Sequence, residues 1–211
     1  KNDQETDHPE PPLEPSATSG LTSNQDGPDP LLRNRLRRPK CFDDGQCCHI
    51  RLTASVPEVL AVLTYIRESF STDEVEALKR KVANIDTFTR RLDGEARARQ
   101  RLPCPLLKDG SCSVHPVRPL SCRAVVSVDV AACKRAYDTH MQKPVPQHEL
   151  QILAANAVGY GIFAGLADAG RELEDLEFNA ALALGLADED IGTRWIKGQG
   201  GFTPATQVKK S

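Results

Sequence analysis

"CFDDGQCCHI", residues 41–50, puts Cys41, Cys47 and Cys48 within eight positions and follows the adjacent pair with His49. Such thiols can staple the chain, react with one another or begin a metal cage, and each choice demands a different fold around them. Seven cysteines occur in all, an odd number that leaves one thiol over in a fully oxidised framework. Neighbouring cysteines close a disulfide between themselves only with strain. With 211 residues and 39% hydrophobic content, the chain can also bury a core without staples. Clustered thiols in such a chain point first to metal thiolates in a reducing compartment, ahead of disulfides and of plain buried cysteines. The expected location is therefore the cytoplasm, and no charged start followed by an apolar run reads as a secretory leader.

Working outward toward the N-terminus, residues 1–30 are rich in Pro, Asp, Ser and Gly and hold almost nothing to bury, the composition of a disordered tail. "LLRNRLRRPK" (31–40) then gathers Arg33, Arg35, Arg37, Arg38 and Lys40, either a solvated lead-in to Cys41 or an arm for a protein partner or phosphate. The formal net charge of -2 supplies no global pull toward nucleic acid or an anionic membrane, so nucleic acid ranks below a protein partner.

Toward the C-terminus, Ser55 and Glu58 have capping-box spacing ahead of Val59, Leu60, Val62, Leu63 and Ile66, which predicts a helix over about 56–69. Ser71 and Glu74 repeat the signal before Val75, Leu78, Val82, Ile85, Phe88 and Leu92, a second amphipathic helix that Gly94 is expected to end. Asp109-Gly110 and the prolines of "LLKDGSCSVHPVRPLSC" predict loop or a short hairpin. Asp129 is placed to cap a short helix carrying Cys133. Residues 147–169 predict a longer helix stopped by Gly170; its length invites a membrane span, but Asn156, the internal glycines and Asp168 favour a buried core helix, so no span is expected. "RELEDLEFNAALALGLADED" predicts one more helix. The organisation expected is a Pro-rich tail with a basic end (1–40), a cysteine-cluster helical domain (41–192) and a loosely held tail (193–211). The fold class is mainly α, a small helical domain with irregular cysteine-rich loops around a metal site and little regular sheet.

The thiols are Cys41, Cys47, Cys48, Cys104, Cys112, Cys122 and Cys133. Two predicted helices separate the first three from the next, so they form an insertion that folds the two cysteine regions back together as a cage made from two loops. A tetrahedral zinc or an iron-sulfur cluster takes about four such ligands, so six clustered cysteines exceed one mononuclear site. His49, beside Cys48, and His115, inside the second region, are the imidazole candidates.

These residues resemble the CxxCxxCC family of zinc- or iron-chelating proteins, the YkgJ-like cysteine cluster proteins. The family's first motif falls here on Cys41, Asp44, Cys47 and Cys48. The other half of its pattern is similar to "CPLLKDGSCSVHPVRPLSCR", on Cys104, Cys112, His115, Arg118, Pro119, Cys122 and Arg123. The resemblance spans residues 41–123 and implies metal ligation by Cys41, Cys47, Cys48, Cys104, Cys112 and Cys122. Asp44 stands where the family has a cysteine and His115 where a tyrosine is common. A carboxylate at Asp44 is a harder ligand and favours zinc or mononuclear iron, although Asp44 is equally a turn residue before Gly45. Arg118 and Arg123 would offset the surplus charge of several thiolates and donate hydrogen bonds to sulfur or backbone carbonyls around the cofactor.

No nucleophile elbow, phosphate loop, dinucleotide fingerprint or zinc-protease helix nominates a reaction. The leading expectation is a protein that binds an iron-sulfur cluster, iron or zinc and acts in binding, delivery or assembly. An iron-dependent redox or protein-modifying enzyme comes second, since a bacterial flagellin lysine methylase carries similar cysteine clusters. A zinc-ordered nucleic-acid-binding protein comes third.

Overall fold

The computed structural model describes residues 45–206 apart from Met141 and Glu172. Cys41, Asp44, the Pro-rich tail and the basic arm lie outside the described residues. Within them the chain is mainly helical, with eight α-helices and four strands of two residues each.

Helix α1 (Val56–Ser69) starts where Ser55 and Glu58 predict: the Glu58 carboxylate accepts from Ser55 N at 2.8 Å and from the Ser55 hydroxyl at 2.6 Å. Its apolar residues recur at three- and four-residue spacing, so Val59, Val62, Leu63 and Ile66 share one face, and all four are wholly buried. Helix α2 (Thr72–Thr89) is capped by Ser71 and Glu74 in the same way and buries Leu78 and Val82. Both pack on α7 (Phe178–Ala187), whose Ala181 and Leu182 complete the core. The α1–α7 crossing is close because position 185 is glycine. A methyl group there would overlap Leu63 Cδ1.

Two small antiparallel ladders tie the loops to this body. Strand β1 (Thr53–Ala54) pairs with β4 (Leu176–Glu177) in the register Thr53↔Glu177 and Ala54↔Leu176. Strand β2 (Leu107–Lys108) pairs with β3 (Ser111–Cys112) around Asp109-Gly110, whose positive φ angles of 51° and 75° make the tight turn the sequence predicts. Asp129 caps α5 (Val130–Asp138), accepting from Ala132 N at 3.0 Å.

The structure departs from expectation at four places. Gly94 does not end α2, which stops at Thr89; it opens α3 (Gly94–Gln100) instead, because the Asp93 side chain accepts from Ala96 N at 2.8 Å and starts a new helix. The helix expected from residue 171 begins only at Phe178, because Leu176 and Glu177 are drawn into the ladder with β1 and the Glu177 carboxylate then caps the helix at Ala180 N, 2.7 Å. Residues 193–206 are not a loose tail. They continue through α8 (Ile191–Ile196) to Phe202, which is wholly buried, and to a bridge between Thr206 and Leu176.

The fourth departure is α6 (Glu149–Asp168), expected in the core. It packs along one line against α4 (Leu120–Ala124), buries Ala155 and leaves Leu150, Leu153, Val158 and Tyr160 between 53% and 77% exposed. A helix apolar on every side does not encode which face turns inward, and α1, α2 and α7 already fill the core. It is the one helix among the described residues long and apolar enough to cross a membrane by length and composition. Both its ends are tied to the fold, through His148 N donating to Val126 O at 2.9 Å and through β4 pairing with β1.

Candidate metal centre

Cys47 and Cys48 lie on a 3₁₀ turn (Gln46–His49) that Gly45 opens from the left-handed region, φ 60°. Cys48 N closes the turn by donating to Gly45 O at 2.9 Å. Cys104 N then donates to Cys48 O at 2.6 Å, a direct backbone tie between the two cysteine regions. Cys112 stands on β3 opposite Leu107, and Cys122 lies in the single turn of α4. That turn is fixed to the start of α1 by two bonds: Leu120 N donates to Glu58 Oε1 at 2.7 Å, and the Ser121 hydroxyl donates to Thr53 O at 2.6 Å. Glu58 therefore caps α1 with one oxygen and anchors the Cys122 turn with the other. The capping-box spacing announces the first role; the second joins residues 62 positions apart and leaves no local signal.

The insertion thus does fold the two regions together. Cys48 lies within electrostatic reach of Cys47, Cys104 and Cys112, Cys122 within reach of Cys47, Cys104 and Cys112, and none of the five forms a disulfide. The Cys48 thiol and the Cys47 sulfur share a hydrogen bond, so Cys47 ionises first with its pKa held below the ordinary thiol value, and Cys48 is held far above it. Burial pushes Cys104 up to about 11 and Cys122 up to about 12, and neighbouring thiols add to both shifts. Burial raises Cys112 as well. Among the described residues, however, no three His, Cys, Asp or Glu side chains close into a group able to hold a metal ion. The five thiols converge on one region and stop short of coordination.

Arg118 and Arg123 face different partners. Burial, followed by the charge of Arg123, lowers the Arg118 pKa, and Arg118 lies within reach of Cys122, Cys112 and Cys47, where its positive charge favours the thiolate form. Arg123 turns to the backbone, its Nε donating to Arg118 O at 2.9 Å and its Nη2 to Pro116 O at 2.7 Å, and so stiffens the loop that leads into Cys122. His49 packs edge-on against Tyr137 at 5.0 Å, with Nδ1 3.1 Å from Gly45 O, which pins the first cysteine turn to α5 and leaves Nε2 as its second ring nitrogen. Tyr137 also receives the Arg101 guanidinium over its ring at 5.1 Å. Neither contact carries a sequence signal.

The donor set fits a thiophilic metal in chemistry: soft sulfur donors, a guanidinium to offset their charge, and turns fixed by backbone bonds. No protein-family model, curated protein or solved structure matches the chain.

Proposed function

We propose that the chain is a metal-binding cysteine cluster protein in which Cys47, Cys48, Cys104, Cys112 and Cys122, with Cys41 from the same first motif, hold an iron-sulfur cluster, iron or zinc. One observation supports it above the rest: thiols from residues 47–48 and 104–122 gather in one region although α1, α2 and α3 intervene in sequence. Soft thiolates select zinc or iron-sulfur centres over magnesium or calcium, which prefer oxygen. Asp44 and His49 are the candidate harder donors. Bound metal would replace the thiol protons, neutralise the charge of the thiolates and tie together two loops that Cys104 N and Cys48 O already join. Such a closed centre suits binding, delivery or assembly.

A second reading, an iron-dependent redox or protein-modifying enzyme, is favoured by one feature: Cys47 also lines a separate cavity, so a molecule could reach the edge of the centre. Elemental analysis and visible absorption of anaerobically purified protein test both. Iron with charge-transfer absorption supports an iron-sulfur centre, colourless zinc removes the iron enzyme, and a metal-free, folded protein overturns the proposal.

A further inference from the structure

On the side of the first cysteine turn facing α5 lies a cavity of about 130 Å³. Ile50, Val125 and Val145 supply its aliphatic walls and Tyr137 an aromatic one, while Cys47 and Cys133 also belong to its lining. Among the described residues, no charged side chain lines it. Its polar lining is Ser127, whose hydroxyl is already engaged with the carbonyl oxygens of Asp129 and Pro146, both at 2.9 Å, together with the uncharged Gln46 and Gln147, Gln147 being exposed. The Tyr137 wall is held between the His49 ring and the Arg101 guanidinium, so the space is formed in advance.

We infer that this cavity binds a small, neutral, apolar molecule or terminal group no larger than about benzene and seats it beside Cys47. Size and lining set the class. An apolar protein cavity of about 150 Å³ accepts benzene and stays dry without it, whereas a charged ligand would be stripped of water here with no countercharge. The functional meaning rests on the metal-centre reading: an occupant would lie beside one ligand sulfur, at the edge of the coordination sphere. Cys133 then has a place that the cysteine motifs leave unassigned, as a soft, polarisable wall of the pocket and not a member of the cluster.

The test is a benzene titration of the anaerobically purified full chain, followed by the methyl resonances of Ile50, Val125 and Val145, with metal content measured on the same sample. Saturable shifts confined to these methyls are expected, and acetamide should give none. Val145→Phe, at the half-buried rim, should weaken benzene at least tenfold with metal content unchanged. Should that variant fail to fold, Val145→Leu should weaken it about threefold. Absence of saturable benzene binding in the folded wild type, equal binding in the rim variant, or acetamide binding as well as benzene would overturn the pocket. A protein that takes up benzene but holds no metal overturns the metal centre alone, and one that holds metal but excludes benzene overturns the pocket alone.

Discussion

Around Leu63 the chain buries aliphatic side chains against one another, whereas around Cys48 it buries thiols whose neighbours hold the Cys48 proton on while Cys48 itself eases the ionisation of Cys47. In the first region every added neighbour removes more apolar surface from water, and α1, α2 and α7 close chiefly on that basis, with Arg67 donating to Gly185 O at 3.1 Å across the α1–α7 contact. In the second, convergence is held by a handful of bonds: Cys104 to Cys48, Leu120 to Glu58, and the His49–Tyr137 contact. The difference separates what makes the fold from what the fold presents. The helical body closes on buried apolar surface, and the cysteine turns are where the proposed metal would add cohesion.

The largest effect should come from removing a ligand. Cys48→Ser or Cys122→Ser should lose most bound metal and open the 104–122 segment to protease while helical circular dichroism persists. Full metal content in either variant would erase the distinction between the two regions. In the body, Leu63→Ala should cost about 3 kcal/mol in denaturant unfolding, as truncation of a fully buried leucine does, with metal content per folded molecule unchanged.

Acidity sharpens the contrast further. The thiols of Cys104 and Cys122 are raised to about 11 and about 12 from an ordinary 9.0. A group raised on folding lends stability that is complete below its unfolded value and is lost as pH climbs through the folded one. The metal-free protein should accordingly weaken between about pH 9 and about pH 12, with the change centred on the cysteine turns. Because metal ligation needs thiolates, metal affinity should run the other way and rise with pH, with proton release measurable by calorimetry in buffers of different ionisation enthalpy. Flat behaviour in both assays would mean that the thiols are not the titrating ligands. The smallest effect belongs to Cys133→Ser, which should retain metal; loss equal to that of Cys122→Ser would move Cys133 into the cage.

The same division explains what the sequence disclosed. Ser55, Ser71 and Asp129 act through bonds to residues three positions away, and Asp109-Gly110 through its own backbone, so each was legible from spacing. Phe202 and α6 were not. Phe202 sits in a polar, glycine-rich stretch and is buried only because the chain returns to β4. The uniformly apolar α6 carries no face to read, and its exposure follows from a core that others fill first. At the cysteines, the bond from Cys104 N to Cys48 O, the second bond of Glu58 and the pocket beside Cys47 arise from pairings distant in sequence.

X-ray absorption at the metal edge of anaerobically purified protein tests the central claim most directly. A thiolate-held metal predicts a first shell dominated by sulfur, at about 2.3 Å if the metal is zinc, that shrinks in Cys48→Ser and Cys122→Ser. A shell of oxygen and nitrogen alone, or no stoichiometric metal in folded protein, would contradict it.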